Sequence, residues 1–124
     1  KEVENMSTSQ ITKKVLMNAV TISAATKYSD SMPFRQCAGS AILLIISTAG
    51  TLAISQQCSN DNVNWYNPVD TAGGALGVVK AAQTVTPGVY VVFTPVLSEW
   101  VRFKVIESTA ETVVTLTLSY RLEV

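Results

Sequence analysis

Histidine is absent from this chain of 124 residues. Histidine is the commonest general base and metal ligand, and its side chain titrates closest to neutral pH. The sequence therefore lacks the residue most often used for general-base catalysis, for metal binding and for switching with pH. The few carboxylates are scattered, and no pair has a spacing that predicts cooperation in catalysis. Without histidine, the many serines form no ordinary catalytic triad. We therefore expect a protein that is not an enzyme, with no catalytic residue, no cofactor and no metal site.

Charged residues are also scarce. They make up 15% of the chain, whereas an average soluble domain has roughly 25%. Nine Lys and Arg are balanced by nine Asp and Glu. A neutral chain lacks the basic surface of a nucleic-acid-binding domain, so we expect no nucleic-acid partner. The low charge also suits a surface that other subunits partly cover.

Long hydrophobic runs are missing as well. The longest, Ala41–Ile46, is far shorter than the ~20 residues of a membrane helix. No signal-peptide pattern opens the sequence, and we expect no membrane partner. The only two cysteines, Cys37 and Cys58, could form a disulfide or remain as small buried thiols. We favour reduced thiols, because a chain of this size and apolar content needs no disulfide to fold.

The sequence does contain the alternation of apolar and polar side chains that is typical of β-strands. This alternation is strongest over Val113–Val124 and clear over Trp100–Glu107. Further strands are predicted at residues 15–24, 39–47, 51–58, 78–82 and 89–94, separated by turn residues. No strong helical pattern lies between them, which argues against a βαβ fold. The pattern predicts an all-β fold, a single antiparallel β-sandwich of the jelly-roll type with about seven or eight strands.

The beginning of the chain lacks this alternation. Residues 1–14 are polar and charged, and we predict an N-terminal arm there that orders on assembly, followed by a sandwich domain over residues 15–124. A short helix over Ser9–Met17 is an alternative, because Ser9 could cap it. Thr26–Pro33 is predicted to be a loop or an edge segment, since Pro33 cannot donate a hydrogen bond to a sheet.

The run Ala41–Ile46 is apolar on both faces of its predicted strand. A strand with one wet face would alternate, so one face should meet the core and the other a loop, the N-terminal arm or a neighbouring subunit. The next strand, Thr51–Cys58, alternates better, and Gln56 is the polar exception on its inward face.

Four side chains are candidates for a subunit interface or for stacking on a sugar. Trp100 shares the outward position of Arg102 in its strand, which makes it the predicted exposed aromatic residue, and Tyr66 and Tyr90 are further candidates. Trp65 precedes Tyr66, so the two should point in opposite directions. We expect Trp65 to close one end of the sandwich.

The segment between these strands is rich in Asn and Asp. Asn60, Asp61 and Asn62 supply oxygen atoms that could bind calcium, but the Gly and Glu of an EF-hand loop are missing from their required positions. Asn and Asp also form tight turns through side-chain hydrogen bonds to the backbone, which is the interpretation we favour.

The order of these features resembles that of β-sandwich proteins in the virions of tailed bacteriophages. Their pattern includes a short Gly turn, here Ala49-Gly50, and a Ser-Asn-Asp-Gly-x-Asn-Trp-like signature. In this chain the signature reads Ser59-Asn60-Asp61-Asn62-Val63-Asn64-Trp65, and a closing Trp-Val-Arg-Phe-Lys-Val strand follows at residues 100–105. Asn62 stands where the pattern usually has Gly. Since Asn is the next-best residue for left-handed backbone, the turn should be retained.

Members of this class are capsid decoration, head–tail or tail components, usually as symmetric oligomers. The resemblance therefore implies a non-enzymatic virion protein, assembled in the host cytoplasm, whose partners are copies of itself and other virion proteins. The strand at residues 100–105 is also similar to the closing strands of galactose-binding-like jelly rolls, which include carbohydrate-binding modules. The alternative is thus a carbohydrate-binding module or a phage adhesin that binds host-surface glycans.

Overall fold

The computed structural model describes residues 11–34, 37–48, 50–85, 88–109 and 111–122. Within these ranges the regular elements are nine β-strands, and no helix is present that could cross a membrane. The strands are β1 (Ile11–Ser23), β2 (Thr26–Tyr28), β3 (Met32–Pro33), β4 (Cys37–Ser47), β5 (Gly50–Ser59), β6 (Val78–Val85), β7 (Val89–Phe93), β8 (Trp100–Glu107) and β9 (Glu111–Leu122).

The strands form two antiparallel sheets. Sheet A has the order β1-β9-β4-β7, and sheet B has the order β2-β8-β5-β6, with β3 also paired to β8. The pairings are nested: β1 with β9, β2 and β3 with β8, β4 with β7, and β5 with β6. A long hairpin wrapped in this way is a jelly roll, in which β2 and β3 together occupy one of the eight strand positions. The predicted all-β jelly-roll sandwich is confirmed.

The core lies between the two sheets and is built from alternate residues of the long strands. Sheet A contributes the fully buried side chains of β4 and β9, and sheet B contributes those of β5 and β8. The rings of Phe93 in β7 and Phe103 in β8 meet edge to face, with their centroids 5.9 Å apart, and so join the sheets. The fully buried valine, leucine and isoleucine side chains of these four strands are Leu43, Ile45, Val114, Leu116, Leu118, Leu52, Ile54, Val101 and Val105.

Strand β1 differs from its prediction at both the boundary and the pattern. It begins at Ile11 rather than Val15, so residues 11–14 of the predicted arm belong to sheet A, and the alternative helix over Ser9–Met17 is wrong for the part described here. The register shifts on either side of Met17, and Ala19 has a φ of 51°. Bulges of this kind break the alternation, which is why Leu16 and Met17 are both buried. Residues 1–10 lie outside the described ranges, and the arm stays a prediction.

The predicted loop or edge segment Thr26–Pro33 contains β2 and β3 at the edge of sheet B. Pro33 lies opposite Trp100 in β8. Proline fits this position because an edge strand does not require its backbone to donate a hydrogen bond there. The predictions that concern Ala49, the last two residues and the thiol of Cys37 lie outside the described residues and side chains.

Candidate interaction surfaces

The Ser59–Asn64 turn is organised by one carboxylate. Asp61 Oδ1 accepts hydrogen bonds from the backbone N–H groups of Val63 (2.9 Å) and Asn64 (2.8 Å), and Oδ2 accepts one from the Asn64 amide (2.8 Å). Ser59 Oγ donates to Oδ1 at 3.0 Å. These hydrogen bonds, chiefly those from the Asn64 and Val63 backbone, hold the pKa of Asp61 well below its ordinary value. Asn62 has a φ of 60°, in the left-handed region that Asn tolerates.

A second carboxylate organises the glycine-rich stretch that follows. Asp70 Oδ1 accepts hydrogen bonds from the backbone N–H groups of Ala72 (2.9 Å) and Gly74 (2.7 Å). Gly73 has a φ of 87°, which only glycine adopts readily. This stretch is therefore a hydrogen-bonded turn.

Arg102 lies at the centre of a stacked cluster, which we define as Tyr28, Trp65, Arg102, Gln57 and Asn67. The guanidinium carbon of Arg102 is 4.1 Å from the ring centroid of Tyr28 and 4.6 Å from that of Trp65. Arg102 Nε donates to Gln57 Oε1 at 2.8 Å, and Gln57 Nε2 donates to Asn67 Oδ1 at 2.9 Å. Desolvation by these neighbours lowers the pKa of Arg102, although an arginine remains charged at neutral pH.

The stacked cluster fastens the loop at residues 60–77 to the outward side of sheet B. Trp65 is half-buried against Arg102 rather than closing the end of the core as predicted. Gln57 has an outward position in β5 but is buried beneath this loop. Because the guanidinium stacks on both rings, the cluster holds the protein's own chain together, while the Tyr28 side chain stays about half exposed.

Cys58 is a free, half-buried thiol at the end of β5. Burial raises its pKa, against the opposing effect of hydrogen bonds to Ser98 and Gln56. A thiol with a raised pKa is mostly protonated at neutral pH and reacts slowly.

The outward side of sheet A, in contrast, carries a broad apolar surface. We define the apolar face as the outward-pointing side chains Ile11, Val15, Ile42, Leu44, Ile46, Tyr90, Val92 and Val113, which lie on all four strands of the sheet. Ile11, Tyr90 and Val92 are each about two-thirds exposed, while Ile42 and Leu44 are half-buried by their neighbours. The two-faced run Ala41–Ile46 thus supplies its centre.

The centre of the apolar face has no charge. Thr117 lies beside Leu44, and Ser119 lies beside Ile42, so the side chains between the apolar strands are small and neutral. Lys13 and Arg121, which pair with Ser119 and Ile11, lie toward the β1 edge and one end of the sheet. An uncharged centre with charges at its margin is the composition of a protein–protein interface core.

The four predicted contact residues do not form one platform. Trp100 and Arg102 share the outward side of sheet B, and Tyr66 lies in the adjoining loop, where its backbone is hydrogen-bonded to that of Cys58. Tyr90 lies on the apolar face of sheet A, on the opposite side of the sandwich. Trp100 is half-buried, whereas Tyr66 and Tyr90 are 66% and 69% exposed, so the prediction that Trp100 is the exposed aromatic residue was wrong.

Sequence patterns missed two parts of these surfaces. Tyr28 lay in a segment without alternation, and nothing local linked it to Arg102, which is 74 positions later in the chain. Val92 was missed because its neighbours in the apolar face come from other strands. Over the described residues, no group of three or more Cys, Asp or Glu side chains is placed to hold a metal ion.

No protein-family model matches this sequence, and no curated protein matches it significantly. Among solved structures, the chain is similar to the crystal structure of the SPBc2 prophage-derived protein YomS. The TM-score is 0.60 and the sequence identity is 14%, over 98% of this chain and 99% of that chain. The likeness therefore extends over the whole sandwich, and at this identity it shows a shared fold.

Proposed function

We propose that this protein is a non-enzymatic structural component of a bacteriophage particle, and that it acts by packing through the apolar face. The observation that carries the proposal is the uncharged, exposed apolar surface on the outward side of sheet A. The shared fold with a prophage-derived protein and the virion-type signature at Ser59–Trp65 support a phage setting.

The apolar face is somewhat smaller than a standard protein interface, so a single contact through it is weak. Four strands about 4.8 Å apart, with successive outward rows about 6.6 Å apart along the strands, present a flat area on the order of 500 Å². A standard protein interface buries about 800 Å² per partner. Covering each half-exposed aliphatic or aromatic side chain would contribute about 1 kcal/mol. Such contacts are weak in one copy but become firm when many copies sit on a symmetric lattice.

Within a particle, the role is that of a repeated building block, as capsid decoration or as a head–tail or tail component. The proposed partners are copies of the protein and other virion proteins, and its location is the virion. The neutral composition suits this role, since like copies can approach each other without net repulsion.

The test is the protein composition of particles from the phage or prophage that encodes this chain. We expect the protein in gradient-purified particles, at a constant ratio to the major structural protein by quantitative mass spectrometry. It should resist a high-salt wash, because apolar packing is not screened by salt. Ile46→Lys, in the centre of the apolar face, should lower incorporation at least tenfold.

The matched control is Tyr66→Lys, which places the same charge on an exposed side chain away from the apolar face. It should enter particles normally. Absence of the wild-type protein from particles, or normal incorporation of Ile46→Lys, would contradict the proposal.

The carbohydrate-binding alternative stays a hypothesis, and the exposed ring of Tyr66 beside the polar turn is the feature that favours it. A reproducible hit on a glycan array, lost in Tyr66→Ala and retained in Ile46→Lys, would support this alternative over packing.

A further inference from the structure

The four edges of the two sheets differ in how they are protected against pairing with another chain. An open edge presents unpaired N–H and C=O groups, and proteins usually protect it with charges, proline, bulges or very short strands. Sheet A ends at β1 and β7, and sheet B ends at β6 and at β2 with β3.

Three of these edges carry such protection. Strand β1 has the exposed Lys13 and Lys14 and two shifts of register. One edge of sheet B consists of the short strands β2 and β3. They have three and two residues and contain Lys27 and Pro33. Strand β6 carries Lys80 and pairs with β5 through two register shifts.

Strand β7 has none of these features. Its sequence is Val-Tyr-Val-Val-Phe, with no charge, no proline and no glycine. It pairs with β4 in five consecutive pairs without a shift, so the strand is regular. Among the residues that the structure describes, no strand pairs with its other side.

We propose that β7 pairs antiparallel with β7 of a second copy, about a two-fold axis through Val91. The two A sheets then become one eight-stranded sheet with a continuous apolar face. This inference goes beyond the proposed function, because it adds an edge-to-edge contact between two copies and leaves the joined apolar face free for other contacts.

The chemistry of β7 favours a second copy as the partner. With Val91 on the axis, Tyr90 lies opposite Val92 of the second copy on the outward side, and an aromatic residue beside a β-branched one is a favourable cross-strand pair. The symmetry brings no like charges together, because all five residues are uncharged. Phe93 and Val91 already pack on the core, so the edge is held in place before it pairs.

The first test reverses charge at this edge in the isolated protein. Light scattering after gel filtration should give a dimer for the wild-type chain. Tyr90→Lys with Val92→Lys should be monomeric, with the dissociation constant raised at least tenfold, because the new charges oppose each other across the axis. Tyr90→Glu with Val92→Glu should also be monomeric. Mixing the two variants should restore a dimer, which loss of folding could not explain.

The matched control is Ile11→Lys with Val15→Lys. These side chains point to the same side of sheet A and have similar exposure, but they lie on the β1 edge. This variant should remain dimeric. A monomeric wild type, failure of the mixed variants to associate, or a control as weakened as the Lys variant would overturn the proposal. Saturable binding of β7 to a different protein, with the isolated chain monomeric, would overturn it too.

The second test fixes the register by cross-linking, with Cys37 and Cys58 replaced by Ser. Residues 90 and 92 of opposing strands would have Cα atoms about 4.5–5.5 Å apart, within disulfide reach. Two copies of residue 90 would be about 8 Å apart, since they are offset by two residues along the strand. A mixture of Tyr90→Cys and Val92→Cys should therefore cross-link on mild oxidation, and neither variant alone should. Equal cross-linking of either single variant would contradict this register.

These tests use the purified chain and are independent of particle composition. A β7-linked dimer absent from particles would remove the proposed function and keep this inference. A monomer that still enters particles would do the reverse.

Discussion

Single polar side chains fix the loops of this protein by replacing backbone partners. Asp61 and Asp70 each accept backbone N–H groups within their own turns, and Gln56 does the same across a longer distance. In each case the side chain accepts hydrogen bonds from backbone N–H groups that do not pair with a strand. These side chains therefore set the shape of loops that have no regular backbone hydrogen bonding.

We expect Asp61→Asn to destabilise the protein most at about pH 7, and the effect to shrink progressively as the pH falls below about 4. The folded-state pKa of Asp61 is lowered by the turn's hydrogen bonds. Its contribution to the free energy of unfolding is therefore full above the unfolded pKa of about 3.9 and is lost as the pH falls through the folded pKa. Urea unfolding of both proteins across this pH range measures the difference.

Asp30→Asn is the control for this prediction, because Asp30 is an exposed aspartate in another connection. It should change the free energy of unfolding less at neutral pH. An Asp61→Asn effect of constant size at every pH would show that the hydrogen bonds do not depend on the charge.

At the scale of the strands, the start of β5 packs closely against the connection between β8 and β9, which leaves no room for a side chain there. Thr112 Oγ1 donates to Glu107 Oε2 in a buried pair, and the Thr109 N–H donates to Glu107 Oε1 at 2.8 Å. Gly50, at the start of β5, lies so close to this pair that a Cβ atom would overlap Thr112 Oγ1 and Glu107 Oε2. The sequence marked this glycine only as a turn residue.

Gly50→Ala should therefore lower the free energy of unfolding by about 1–3 kcal/mol, which is the usual cost of overpacking. Thr112→Ala removes one of the two overlapping atoms. In that background the same change at Gly50 should cost less, which a double-mutant cycle of urea unfolding measures. Additive costs would mean that the contact is not the cause.

Sequence patterns predicted the long strands well and the short or bulged ones poorly. Strand β8 has the predicted bounds, and the inward residues Val114, Leu116 and Leu118 of β9 are fully buried. Alternation is a local signal and is legible wherever a strand is regular. The bulge beside Met17 interrupts that signal, and β2 and β3 are too short to display it.

At the scale of the whole molecule, Gln56 in β5 holds the connection between the two sheets against the core. The connection at residues 94–99 leads from sheet A to sheet B. Its Val96 N–H donates to Gln56 Oε1 at 2.9 Å, and Gln56 Nε2 donates to the Val96 carbonyl at 2.8 Å. Gln56 is fully buried, which explains a polar side chain on an inward face.

Gln56→Met keeps the length of the side chain and removes both hydrogen bonds. It should cost about 2–4 kcal/mol, because two backbone groups of Val96 lose their partners. Gln57→Met, beside it on the outward side, should cost less than half as much. Tryptophan fluorescence and far-UV circular dichroism should give coincident urea transitions for each variant, since the two sheets share one core. Separate transitions for the two probes would show that the sheets unfold independently.

The amino-acid sequence alone determined that this chain is an antiparallel sandwich, where its regular strands run, and that Ala41–Ile46 is apolar on both sides. Alternation and turn chemistry act over a few residues, so they can be read without knowing which strands are neighbours. The stacking of Tyr28 and Trp65 on Arg102, the joining of four strands into one apolar face, and the open edge at β7 depend on which distant segments lie side by side. Those neighbours are selected by the packing of the whole core, and no local pattern encodes them.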